Sequence, residues 1–291
     1  MDVMSAKRTS FVAFFLPVFA AVSLSCAGGT GGKRFDFDAR IGGIASADPS
    51  AFTFTNQNDW VITLTRAEVT LGPIYLNVVT PLVDRPLGLL DRLVPSAWAR
   101  GEAHLDPGRI VGEVLAQASF NALSAELVSF PLRGALTEEQ VHTAEVWFYP
   151  QAGVSADVKK IDTPALEVAG TATRGDSTVA FRGTLILNDA WLTDQPSGQQ
   201  GSQPITEIRK LRGIPASFFP TQGGSLELRF DVTRLFRGAN FSNLTQNPSD
   251  PDGTKLLVQS KAGPVTTDQV MTNLYQGLRD ASTYSAEWVK P

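Results

Sequence analysis

The chain of 291 residues holds one cysteine, two histidines and three methionines. A single cysteine closes no intramolecular disulfide, and two histidines leave little material for acid–base or zinc chemistry. None of Gly-x-Ser-x-Gly, Gly-x-x-x-x-Gly-Lys, His-Glu-x-x-His or Cys-x-x-Cys occurs. Nucleophile elbows, phosphate loops, zincin helices and dithiol sites therefore have no support. Charge is sparse too: 25 basic residues stand against 29 acidic ones, a formal net charge of −4, with no basic stripe. Such a chain cannot neutralise a run of phosphates, so nucleic acid is not expected as a partner. The longest apolar run, 11–22, has twelve residues, whereas about 20 are needed to cross a bilayer as a helix. With 43% hydrophobic and 19% charged residues, the composition is that of a globular body.

What is present starts at the N-terminus. Lys7 and Arg8 precede the apolar run, and Ser23-Leu24-Ser25 separates it from Cys26. A basic region, an apolar stretch and small residues before a cleavage point read as a secretory signal peptide over 1–25. Ser23-Leu24-Ser25-Cys26 resembles the bacterial lipobox, whose cysteine is lipid-modified and becomes N-terminal, although the aliphatic residue stands here at −2 and not at −3. The same residues fit ordinary small-x-small cleavage, which would release a soluble protein with a free thiol. A lone free thiol is an odd remainder in an exported protein, so lipidation of Cys26 is the expectation. Ala27-Gly28-Gly29-Thr30-Gly31-Gly32 then forms a flexible tether, and 26–33 are read as the lipidated cysteine and its linker.

From 34 to 291 a single domain is expected. Short runs with period-2 alternation, rich in Val, Ile, Thr and Phe, are separated by Gly, Pro, Asn and Asp. Strands are expected at 35–41, 51–55, 60–70, 74–79, 109–117, 126–133, 142–149, 166–173, 178–187, 205–211 and 225–232. The fold class is all-β: an antiparallel β-sandwich, jelly-roll or Ig-like, with one or two short peripheral helices. The helices are expected at 86–98 and 267–280; the second carries Asp268 near its start and Arg279 near its end, as the helix dipole prefers. Arg174-Gly175-Asp176-Ser177 reads as a hairpin turn between 166–173 and 178–187, with Val179, Phe181, Leu185 and Leu187 facing the core.

Few residues invite chemistry. In an extended segment Glu102, His104 and Asp106 point to one face, and two carboxylates around an imidazole are first-shell metal ligands that His142 could join. Asp106-Pro107-Gly108 is also a ready-made turn, and a solvated loop explains the segment without metal. The stretch Asn247-Pro248-Ser249-Asp250-Pro251-Asp252-Gly253-Thr254 alternates oxygen donors before a glycine as calcium loops do. However, its first and twelfth positions are Pro248 and Gln259, so an ordinary turn is the expectation. Trp147 and Tyr149 share one face of their strand, which raises the possibility of an aromatic binding surface, with core packing as the plainer use.

Three stretches carry a resemblance: 62–75 (Ile-Thr-Leu-Thr-Arg-Ala-Glu-Val-Thr-Leu-Gly-Pro-Ile-Tyr), 104–113 around His-Leu-Asp-Pro-Gly, and 226–238 (Leu-Glu-Leu-Arg-Phe-Asp-Val-Thr-Arg-Leu-Phe-Arg-Gly). They resemble envelope lipoproteins of Gram-negative bacteria such as myxobacteria. The last stretch, with Asn273-Leu274, is more loosely similar to the MbnP-like family of copper-associated periplasmic β-sandwich proteins. The resemblance implies an all-β periplasmic or surface protein, anchored to a membrane through its lipid, with an envelope protein as a further partner. It favours the outer membrane, because Ala27 is not the aspartate that retains many lipoproteins at the inner one. By the same resemblance copper is the implied metal of the alternative reading, a periplasmic metal-binding protein using His104, Asp106, Glu102 and His142. With two histidines and, beyond 1–25, only Met271, the usual copper ligands are nearly absent. Without copper no cofactor and no catalytic residue is expected, and the body acts as a binding or structural module; a carbohydrate-binding or hydrolytic sandwich is the second alternative.

Overall fold

Alternation along Arg34–Gly43 (β1) buries Phe35, Phe37, Ala39 and Ile41 on one face and turns Arg34, Asp36 and Asp38 outward. The same period recurs through fifteen strands of the computed structural model, which describes residues 32–44, 51–78, 109–148, 163–187, 208–259 and 268–291. After β1 come Phe52–Thr55 (β2), Val61–Leu71 (β3), Ile74–Asn77 (β4), Ile110–Val114 (β5), Ala118–Asn121 (β6) and Val128–Ser129 (β7). Gly134–Thr137 (β8), Val141–Trp147 (β9), Leu166–Arg174 (β10), Ser177–Leu185 (β11) and Lys210–Phe218 (β12) follow. Ser225–Phe230 (β13), Lys255–Leu257 (β14) and Tyr284–Val289 (β15) complete the described strands, and Gln269–Leu278 (α1) is an α-helix.

The strands form two sheets, so the all-β expectation holds. The larger has the order β12, β9, β4, β5, β8, β1, β13, β15, with β7 also on β1. The smaller runs β14, β11, β10, β3, β2, with β6 also on β3. The larger sheet curls until its outer strands β12 and β15 lie side by side, and Phe218 stacks on Trp288 with ring centroids 5.8 Å apart. Trp288 also meets Phe35 and Phe37 on β1. One apolar core fills the space inside.

Pairing is mixed and not wholly antiparallel. β1 pairs β13 in parallel, Asp38 opposite Ser225, and β11 pairs β14 in parallel. The β10–β11 hairpin matches its expectation: Arg174 lies opposite Ser177, Gly175 takes φ +57 in the turn, and Val179, Phe181, Leu185 and Leu187 are buried. Three expected boundaries are corrected. The strand placed at 126–133 is only Val128–Ser129, with β8 beginning at Gly134. The strand placed at 205–211 starts at Lys210 and runs on through Gly213 and Pro215, whose register shifts against β9 mark bulges. The segment 109–117 stops at Val114, and β6 follows.

Helix α1 sits where 267–280 was expected, and the helix expected at 86–98 lies outside the described residues. Asp268 caps α1, accepting from the backbone N–H groups of Val270 and Met271 at 3.0 and 3.2 Å. Val270, Met271, Leu274 and Leu278 turn inward, and the helix packs on a 3₁₀ turn at Val232–Phe236. Below it Phe181, Phe236, Phe241 and Trp60 interlock, with centroids 5.0 Å apart for Phe181 and Phe241 and 5.4 Å for Trp60 and Phe241. Among the described residues no helix is long and apolar enough to cross a membrane.

Candidate functional site

Cys26, Glu102, His104 and Asp106 lie outside the described residues. His142 is exposed on β9. Among the described residues no group of three or more His, Cys, Asp and Glu is placed to hold a metal ion. The loop at 247–254 is the expected turn: Asp250 N–H donates to the Thr254 carbonyl, Gly253 takes φ +85, and Asp250 is engaged by Arg182 at 2.8 Å. Asp252 accepts from the Thr254 N–H at 2.9 Å, and the hydrogen bonds from Thr254 hold its carboxyl below the usual range.

The best-organised polar constellation lies on the outer face of the larger sheet. On β9 Ala144 and Val146 enter the core, so Thr143, Glu145 and Trp147 point the other way. On β4 Ile74 and Leu76 are core residues, which turns Tyr75 and Asn77 to that same face. Register then assembles the group: Tyr75 lies opposite Glu145 on one side and Glu113 on the other, and Lys210 lies opposite Trp147. Lys210 Nζ is 2.9 Å from Glu145 Oε1, and Arg212 Nε is 3.4 Å from Oε2. The Trp147 indole N–H also donates to Glu145. Lys210 sits 4.7 Å above the Trp147 ring, and the Tyr75 and Trp147 rings meet edge to face at 5.9 Å.

This is a buried ion cluster. The Glu145 side chain is 5% exposed, Lys210 10% and Arg212 27%. Burial, with Glu113 and then Glu145 adding repulsion, pushes the Tyr75 phenol above its ordinary pKa and keeps it a neutral donor. Two residues along, buried Asn77 leaves its Oδ1 without a hydrogen-bond partner among the described residues. The Glu145 carboxylate is thus held by a lysine, an arginine and an indole N–H. These partners fix the carboxylate in place and hold this face in shape.

The sequence reading found Trp147 on this face but not Glu145 or Lys210. The available signal was the alternation itself: Glu145-x-Trp147 and Lys210-x-Arg212 each put two side chains on one face of a strand. That the two strands are neighbours is a tertiary fact. No protein-family model, no curated protein and no solved structure matches the chain.

Proposed function

We propose that the chain is an envelope lipoprotein, held on a membrane by acylated Cys26, whose β-body binds or scaffolds an envelope partner. The observation that carries this reading is the position of the only cysteine. It stands directly behind a basic and apolar export segment and directly ahead of a glycine-rich tether that leads into β1 at Arg34. Action by binding is supported by the Glu145 cluster, in which a buried carboxylate is already paired with Lys210 and Arg212. The periplasmic side of the outer membrane, or the cell surface, is the proposed location.

Expression of the full chain in a Gram-negative host tests the proposal. The wild type should fractionate with membranes, its mature N-terminal peptide should begin at Cys26, and its mass should carry acyl chains. Cys26→Ser should release the body or leave it uncleaved. A wild-type protein recovered soluble, with a titratable thiol at Cys26, would refute the anchor.

A further inference from the structure

β2 ends the smaller sheet, and among the described residues no strand lies beyond it. Other outer strands are covered: β12 and β15 lie side by side, and β14 is backed by the turn before it through the Ser249–Lys255 bridge and the Leu256 N–H, which donates to the Pro248 carbonyl at 2.9 Å. The ladder fixes what the β2 edge offers. The Asn56 N–H donates to the Trp60 carbonyl at 3.0 Å, the bond that flanks a non-hydrogen-bonded Thr55–Val61 pair. Phe54–Ile62 and Phe52–Leu64 therefore exchange the ladder bonds, and Thr53 and Thr55 aim their N–H and C=O groups away from β3. Both threonines are exposed, whereas Phe52 and Phe54 are half-buried on the core side, with the Phe54 ring 6.0 Å from that of Phe236. Buried Asn56 holds the end of the strand in place, donating to the Phe236 and Ala239 carbonyls at 3.0 and 2.8 Å.

We infer that β2 is a self-association edge, on which β2 of a second copy adds antiparallel about a two-fold axis at Phe54 and joins the two smaller sheets. A strand that fits here carries apolar residues beside Phe52 and Phe54 and short hydroxyl residues beside Thr53 and Thr55. Phe52-Thr53-Phe54-Thr55 is itself that strand. A two-fold sets every charge on an edge against its own copy. This edge has no charge, and it also lacks the lysine or proline with which open edges are guarded. With Phe54 opposite Phe54 of the second copy, Thr53 of each chain lies opposite Thr55 of the other, and each such pair exchanges both N–H···O=C bonds. The outward backbone groups of the two strands are then satisfied. The central phenylalanines, about 4.5 Å apart at Cα, shield each other's exposed surface. An edge of four residues makes a reversible pair, and it needs no lipid anchor, so either reading can fail without the other.

Two full-length variants with different tags, Thr53→Cys and Thr55→Cys, co-expressed in a Gram-negative host and oxidised in the cells, test the register. Opposed Cα atoms about 5.5 Å apart lie within the disulfide range of about 4.4–6.8 Å. A disulfide between positions 53 and 55 should therefore join the two variants, whereas either variant alone, with its cysteines two residues out of register, should not cross-link at these positions. Peptide mass mapping separates that disulfide from one through Cys26. Absence of the 53–55 disulfide, or an equal yield from either variant alone, would overturn the pairing. By sedimentation velocity the full-length wild type should show a concentration-dependent dimer. Thr53→Pro should be a monomer with an unchanged circular dichroism melt, because the Thr53 N–H makes no bond to β3. Thr53→Lys, which leaves the backbone unconstrained, should be a monomer too. A Thr53→Pro or Thr53→Lys protein that dimerises like the wild type would overturn the proposal. So would a wild type monomeric at every concentration, which would leave the edge to a strand of another protein.

Discussion

Replacing Glu145 by alanine removes the carboxylate that Lys210 and Arg212 share. Lys210, with a side chain only 10% exposed, cannot recover full hydration, and the Trp147 indole N–H loses its acceptor. Breaking a buried pair from one side costs about 3–5 kcal/mol; Arg212 at 27% exposure reaches water, so the lower end, about 3 kcal/mol, applies. For a body of this size that is a fall in Tm of about 6–12 °C. Glu145→Gln keeps an oxygen for the indole and should lose less, about 2 kcal/mol. Glu145→Leu combined with Lys210→Met should recover most of the loss, since a well-packed apolar pair is often no worse than the buried ion pair it replaces. Thermal melts by circular dichroism of the four proteins at neutral pH give the comparison. A Glu145→Ala shift of less than about 2 °C would refute the reasoning, because it would place the cluster in effectively aqueous surroundings.

Three further outcomes follow from the packing. Gly72 has φ +125 and a Cβ there would strike the Ala116 carbonyl, whereas Gly175 has φ +57 with open space around it; Gly72→Ala should cost well over the roughly 1 kcal/mol expected of Gly175→Ala, read from urea midpoints. Asp268→Ala should lower stability by about 3 kcal/mol, because the carboxylate caps α1 and also accepts from Asn247 and from the Val258 N–H at 2.9 and 3.1 Å. The Tyr284 phenol, fully buried and donating to the Leu278 carbonyl at 2.8 Å, is pushed well above its ordinary value of 10.0 by burial. Its raised folded pKa makes a contribution present in full below pH 10 and lost as the pH climbs through and beyond that value, so tyrosinate absorbance should lag behind a peptide control and rise together with unfolding.

Elements that bury one face over several residues were legible from their own sequence. β1, β10 and β11 alternate cleanly because a core lies on one side and water on the other, and β3 does so on either side of a bulge at Thr65. α1 was legible for the matching reason, apolar residues at helical spacing behind a capping aspartate. β15 escaped notice because its inward residues are Tyr284, Ala286 and Trp288, with small Ala286 between two aromatics and Val289 turned outward. β8 is four residues long, and its inward Gly134 is required by the Phe37 ring, which a Cβ there would strike; that glycine reads locally as a turn. In β12 Gly213 and Pro215 broke the pattern, although the strand absorbs both at bulges.

Pairing was not legible at all, and the reason bears on the candidate site. Parallel contact between β1 and β13 joins Asp38 to Ser225, and nothing local to either segment encodes the other. The Glu145 cluster has the same character: Tyr75, Glu145 and Lys210 come from three strands and acquire a common environment only when β4, β9 and β12 are adjacent. Read singly, Glu145 is one carboxylate in an alternating strand and Lys210 one cation at a strand start. The buried pair therefore depends on register more than on residue type. A slip of one residue between β9 and β12 would turn Glu145 toward the core and leave Lys210 facing a valine. That penalty gives the cluster a physical use in a body held by apolar packing: it makes the intended register of the outer strands cheaper than its neighbours.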